Sequence, residues 1–170
     1  MKKFITNFTL LLKNYFAPFY KSLEIKELFT LLEKNYGEQK KGEIAMFVGG
    51  CVRNYLNKKK IDDIDIATIL TTDEIKQKIK NSNFNVIDTG VKHGSVTIVG
   101  KKKYELTTLR KDTKSDGRHA EIEVIDDWKE DSNRRDFTIN AIYMSKNGKF
   151  FDPQNGIADL KNKIVKFIGD

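Results

Sequence analysis

The first regular pattern in the chain is helical. Leu23, Leu28, Leu31 and Leu32 recur at helical spacing after Ser22, a good N-cap, and Gly37 closes the segment beyond Tyr36. Pro18 separates this helix from an earlier stretch, Met1 to Leu12, in which Thr6, Asn7 and Thr9 interrupt the apolar residues. That stretch reads as an amphipathic helix and not as a signal peptide, because Lys13-Asn14 ends it and no small-residue cleavage site follows. From Ile44 the period changes. Ile44 to Val48 is a short, continuous apolar run of the kind that forms a buried strand, and Ile61 to Ala67 alternates as a second strand. Between them, Cys51 to Asn57 predicts a short helix and Lys58 to Lys60 a loop. Thr71-Thr72-Asp73-Glu74 has the spacing of a capping box for a helix to Lys80. Strands are expected at Phe84 to Ile87, Ser95 to Val99 and Tyr104 to Leu109, with Gly100 and its lysines turning the last two into a hairpin. Arg110 to His119 is polar, holds Gly117 and predicts a mobile loop. Glu121 to Ile125 alternates like a strand. Asp127 to Met144 predicts a helix broken near Arg135. Phe151-Asp152-Pro153 is a turn, and a short helix and a final strand reach Ile168. The order predicts N-terminal helices over residues 1–42, then one α/β domain over 43–170 with a mixed sheet of about five strands.

Charge adds a partner class. Thirty-one Lys and Arg against 24 Asp and Glu give a net charge of +7 and a pI near 9.3. The surplus lies in short runs, Lys2-Lys3, Lys40-Lys41, Lys58-Lys59-Lys60 and Lys101-Lys102-Lys103. Such runs form solvated loop tips, and together they also suit a polyanion such as nucleic acid. The single cysteine, Cys51, excludes an internal disulfide and a multi-cysteine metal site, and fits a reducing, cytoplasmic setting. No run reaches transmembrane length, so no membrane partner is expected.

The chemistry concentrates in Gly49-Gly50-Cys51-Val52-Arg53 and Asp63-Ile64-Asp65. Two glycines let the backbone approach a triphosphate without a side chain in the way, and the helix that follows points amides at the anion. Asp63 and Asp65, two apart in a strand, project from one face while Ile64 and Ile66 enter the core. Close carboxylates repel unless a cation lies between them, and Mg²⁺ is the natural one beside phosphates. Glu105, between Tyr104 and Leu106, is costly to bury alone. It is either a water-facing residue of an edge strand or a third acidic ligand beside Asp63 and Asp65. In Arg134-Arg135-Asp136 the arginines suit bidentate phosphate contacts, although the same residues alone could form a helix-surface ion network. His93 and His119 each stand alone and receive no catalytic role. Trp128 is expected in the core or as a helix anchor, and Cys51 as a small buried hydrophobe.

Six segments, in order, resemble the class II CCA-adding enzymes, the tRNA nucleotidyltransferases, and the bacterial poly(A) polymerases related to them. They are Val48-Gly49-Gly50-Cys51-Val52-Arg53, Asp63-Ile64-Asp65-Ile66-Ala67-Thr68, Lys92-His93-Gly94-Ser95-Val96-Thr97, Glu105-Leu106-Thr107-Thr108-Leu109-Arg110, Asp116-Gly117-Arg118-His119-Ala120-Glu121 and Arg134-Arg135-Asp136-Phe137-Thr138-Ile139-Asn140-Ala141. The resemblance implies a polymerase-β-like nucleotidyltransferase head. Asp63 and Asp65 would bind Mg²⁺ with Glu105 as third carboxylate. Gly49, Gly50, Arg53 and Arg135 would hold the incoming triphosphate, with Asp136 near the ribose. Asp116 and Arg118 would belong to the flexible loop that helps the switch from CTP to ATP. The expected reaction is metal-dependent nucleotide transfer from CTP or ATP to an RNA 3′ end, most simply that of tRNA. An inactive nucleotide- or RNA-binding remnant and a poly(A) polymerase head are the alternatives. Two departures from the pattern stand out. Asn54 replaces the usual aspartate after Val52-Arg53, with weakened positioning as the expected effect. The neck, body and tail that follow the head in the family have no counterpart here, so either a second polypeptide is expected to supply base selection and tRNA grip or the chain is a truncated or split gene product.

Overall fold

The computed structural model describes residues 18–36, 42–90, 94–115 and 120–169. The expected helix from Met1 to Leu12 lies outside them. A 3-10 turn, Phe19–Lys21, leads into α1 (Leu23–Glu33), whose N-cap Ser22 accepts from the Ile25 amide. The elements that follow are β1 (Ala45–Val48), α2 (Gly50–Leu56), β2 (Ile64–Thr68), α3 (Thr72–Ile79), β3 (Asn85–Gly90), β4 (Ser95–Val99), β5 (Lys103–Thr108), β6 (Arg110–Ser115) and β7 (Ala120–Val124). The chain closes with α4 (Trp128–Asn133), a 3-10 turn at Thr138–Asn140, β8 (Tyr143–Met144), β9 (Phe150–Phe151) and α5 (Gly156–Asn162). The Thr71–Glu74 capping box forms in full, each partner's side chain meeting the other's backbone amide.

Among the described residues the principal sheet has seven strands in the order β3-β4-β5-β2-β1-β8-β9, with β6 and β7 pairing separately. The sheet is mixed, because β2 and β5 run parallel while its other neighbours are antiparallel. One face carries the main core. Ile64 and Ile66 of β2, Val96 and Ile98 of β4 and Tyr104 and Leu106 of β5 meet Ile25, Leu28, Phe29 and Leu32 of α1 and Ile75 and Ile79 of α3. Each such side chain contributes about 1.5–3 kcal/mol by leaving water. Tyr104 donates its hydroxyl to Glu24 at 2.6 Å, tying β5 to α1. A smaller cluster, Met46, Val48, Ala67, Leu109 and Tyr143, fills the other face beneath Trp128. Trp128 meets Tyr143 edge-on at 5.6 Å, as an anchor of its helix.

Four sequence expectations change. Arg110 to Ser115 is the strand β6 and not a loop, because Arg110 and Lys111 pair with Val124 and Glu123 in a hairpin that polar residues can form at the surface. The helix expected to reach Met144 stops at Asn133. Beyond it the Asp136 carboxylate accepts from the Phe137 amide at 2.8 Å, and Phe137 bridges to Phe167, so the backbone leaves helical geometry. The apolar run after Phe137 then enters the sheet as β8, which with β9 raises the strand number to seven. The final strand reduces to that one bridge, flanked by bonds from Thr138 N to Lys166 O and from Ile168 N to Asp136 O, both 3.0 Å.

Candidate active site

The β1-turn-α2 connection and the adjoining ends of β2 and β5 build one polar site. Val48 pairs with Asp65 across β1 and β2, so Gly49 comes directly over the Asp65 carboxylate. A β-carbon on Gly49 would lie 3.3 Å from Asp65 Oδ2, and its φ of 72° is a left-handed conformation that favours glycine. Gly50 opens α2, where an added β-carbon would meet Arg53 Nη2 at 3.7 Å. Cys51 is buried and donates its thiol to Val48 O at 3.1 Å, and burial pushes that thiol up to about 12. It is an inert packing residue.

β2 begins three residues later than expected, at Ile64 and not Ile61, so Asp63 sits just ahead of the strand. Asp65 and Glu105 are direct partners in the parallel β2–β5 ladder and therefore share a face. Alternation along β5 buries Tyr104 and Leu106 and leaves Glu105 exposed, in a strand that lies inside the sheet and not at its edge. Burial first, then the charges of Glu105 and Asp63, hold the Asp65 carboxyl above the usual carboxylate range, while Arg135 pulls in the opposite direction. Asp65 thus feels both other acids and the arginine. Among the described residues no three Asp, Glu, His or Cys side chains close into a ready cage for a metal. The paired carboxylates of Asp65 and Glu105, with Asp63 just ahead of the strand, are oxygen donors of the kind Mg²⁺ takes, the rest of its octahedron coming from phosphate oxygens and water.

Arg135 is fixed from behind. Its Nε donates to the Tyr143 hydroxyl and its Nη2 to Asp131 Oδ2, each at 3.0 Å. Asp131 is fully buried and also accepts from Arg134 Nε at 2.8 Å, the Tyr143 hydroxyl at 2.7 Å and the Arg110 amide at 3.2 Å. Burial works to raise the Asp131 pKa, but Arg135, Arg134 and these hydrogen bonds outweigh it and hold the carboxyl below its usual range. Asp131 and Tyr143 were not singled out in the sequence. The signal was the spacing of Asp131 to Arg134 and Arg135, three and four residues along a helix. Arg53 donates to Asn140 Oδ1, and Asn140 in turn donates to Asp136. Asn54 donates to Lys60 O at 3.2 Å, a bond an aspartate could not make, so it secures the loop after α2. Asp116, Arg118, His93 and His119 lie outside the described residues.

The profile of the Poly A polymerase head domain family matches residues 45–166. The mouse mitochondrial CCA tRNA nucleotidyltransferase 1 is 42% identical over 164 residues, covering 94% of this chain and 38% of that protein. The CCA-adding enzyme of Lactobacillus delbrueckii subsp. bulgaricus is 39% identical, covering 87% of this chain and 37% of that protein. Among solved structures, the Bacillus stearothermophilus CCA-adding enzyme in complex with CTP superposes with a TM-score of 0.67 at 32% identity, over 87% of this chain and 34% of that one. A tRNA nucleotidyltransferase complexed with a primer tRNA and an incoming ATP analogue gives 0.58 at 32% identity, over 74% of this chain and 35% of that one. The chain therefore spans a little over a third of the length of these relatives. The strand, glycine pair, carboxylate ladder and arginine clamp occupy the region of shared sequence, and the chain belongs to the family of poly(A) polymerase and CCA-adding enzyme head domains.

Proposed function

We propose that this chain is the catalytic head of a nucleotidyltransferase that adds nucleotides from CTP and ATP to the 3′ end of tRNA. The observation that carries the reading is the Asp65–Glu105 pair, two like charges side by side on one sheet face under the side-chain-free turn at Gly49. Such a pair is destabilising by itself and becomes favourable when a cation and an anionic substrate share it. Asp63, Asp65 and Glu105 are the carboxylates that would hold Mg²⁺. Bound there, the ion would supply charge neutralisation at the phosphates and activation of the attacking hydroxyl. Gly49 and Gly50 admit the triphosphate, and Arg53 and Arg135 bring fixed guanidinium charge to its oxygens. Asp131 and Tyr143 hold Arg135 so that little reorganisation remains when phosphate arrives.

The head would span residues 43–170, with 1–42 as a leading helical segment whose α1 packs on it. We infer that base selection and tRNA grip come from the family regions outside this head. An apolar strip supports this. Ile164, Val165 and Phe167 are 48%, 65% and 68% exposed, a concentration of the kind that marks an interaction surface. No helix among the described residues is long and apolar enough to cross a membrane, and a cytoplasmic site of action fits the reaction. The test is incorporation of labelled CTP and ATP into tRNA lacking its terminal CCA, with Mg²⁺, by this chain alone and with a polypeptide carrying the remaining family regions. Ordered addition of C, C and A by the pair supports the proposal. A run of A alone would favour a poly(A) polymerase, and no incorporation under either condition would exclude the enzyme reading.

A further inference from the structure

We infer that Asp136 and Asn140 form a positioning relay that aims Arg53 at the triphosphate, an assignment that rests on the nucleotidyl-transfer reading. The resemblance would put Asp136 at the ribose. The hydrogen bonds give it another task. Asp136 Oδ1 accepts from the Phe137 amide at 2.8 Å and from Asn140 Nδ2 at 3.0 Å. Its backbone oxygen is held by Ile168 N at 3.0 Å. The carboxylate is thereby fixed at the start of the 3-10 turn Thr138–Asn140.

Chemistry then sets the Asn140 amide. An ionised carboxylate only accepts, so the NH₂ of Asn140 must face Asp136. Its oxygen is thereby turned toward α2, where it takes the bond from Arg53 Nη1. The reverse amide orientation would put two donors against the guanidinium and an oxygen against a carboxylate. Asp136 therefore determines which atom Arg53 meets, and through it the plane of the guanidinium. Nη2, the other terminal nitrogen in that plane, would stand 3.7 Å from a β-carbon placed on Gly50, beside the glycine turn. Asn140 is neutral, so it orients the arginine without offsetting its charge. A carboxylate in its place would compete with phosphate for the same donors. Arg53 and Asn140 lie 87 residues apart, and the relay is invisible to any local pattern.

The test uses the whole chain, CTP with Mg²⁺, and titration calorimetry, with thermal melting as a check on folding. Asn140→Leu and Asp136→Ala should each weaken CTP binding about tenfold, the loss expected when one charge-assisted contact is misdirected. Asp136→Asn should restore most of the Asp136→Ala loss, because its side-chain oxygen can still accept both bonds. The two damaging changes should not add when combined. In an Arg53→Ala background, Asn140→Leu should have no effect. The guanidinium resonances of Arg53 give a second readout. A slowly rotating group in the wild type should become freely rotating in Asn140→Leu and Asp136→Ala. If CTP binds the wild type and Asn140→Leu equally, the relay is overturned while the transferase reading stands. An Asp136→Asn variant as weak as Asp136→Ala would also overturn it, since charge and not orientation would then matter. If the wild type binds no CTP, the transferase reading fails and the relay's purpose with it, whatever the resonances show.

Discussion

Asp131 is buried and Asp65 half-buried, and their surroundings push them in opposite directions. Asp131 faces two arginines, a tyrosine hydroxyl and a backbone amide, and its carboxyl lies below the usual range. Asp65 is raised by burial and by Glu105 and Asp63, and only Arg135 opposes them. The first carboxylate is satisfied by the protein itself. The second is left in a state that a cation would relieve. Direction of shift, more than burial, separates an acid that supports the fold from one reserved for chemistry.

The sharpest way to break this comparison is Asp65→Ala. Metal-dependent transfer should fall about 10³-fold or more, roughly 4 kcal/mol in barrier, in a nucleotide-incorporation assay. The same variant should melt no lower than wild type, because a repulsive partner has been removed. A loss of cooperative melting would instead make Asp65 structural. Asp131→Ala should act the other way round, costing roughly 3–4 kcal/mol in urea unfolding by leaving buried donors unpaired. A loss under about 1 kcal/mol would show that the arginine clamp is dispensable.

How far these roles were readable beforehand differs between the two sites. Gly49-Gly50 and Asp63-x-Asp65 are local patterns, and strand periodicity alone aims Asp65 away from Ile64 and Ile66, while Asp63 falls just ahead of the strand. Glu105 remained ambiguous because only the β2–β5 register shows which neighbour it meets. The Asp131 clamp was less legible. Its tyrosine lies twelve residues on, in a segment whose apolar run fits a helix as well as a strand. The choice is made by the Phe137–Phe167 bridge and the sheet partner Phe47, contacts that no window of sequence contains. β6 was hidden for the opposite reason, since polar strands outside the core carry no hydrophobic period.

Metal titration sharpens the contrast on a smaller scale. Mg²⁺ at about ten times its dissociation constant should stabilise the wild type by roughly 1.4 kcal/mol in thermal melts, and Asp65→Asn should lose that gain while Asp131→Asn keeps it. Acidification should then separate the two acids by sign. Asp131 has a depressed pKa, so its contribution to stability is complete above the usual carboxylate range and is lost as pH falls through and below it. Asp65 has a raised pKa, so the folded state holds its proton more tightly than the unfolded chain. Its effect on stability therefore turns unfavourable as pH rises from the usual range through the raised value. Mg²⁺ binding, which needs the ionised form, should begin to weaken on acidification while ordinary carboxylates are still charged. Parallel melts of the two Asn variants across this window would test both signs.

The smallest expected effect is base preference. Arg53, Arg135 and the glycine turn address phosphate, and phosphate contacts carry no base information. CTP, ATP, UTP and GTP should bind the isolated chain with affinities within about tenfold, or 1.4 kcal/mol, of one another in calorimetry. A wider spread would place base-reading groups inside this chain.

Cys51 is the chain's single cysteine, and it lies one residue beyond the glycine pair with its sulfur out of solvent. With its thiol protonated up to about 12, it reacts with an alkylating reagent only when the turn opens. The unaltered protein thus carries a built-in clock. The rate at which Cys51 is labelled measures how often the nucleotide cradle breathes, and slower labelling in the presence of a nucleotide would report occupancy without a fluorophore, an isotope or a mutation.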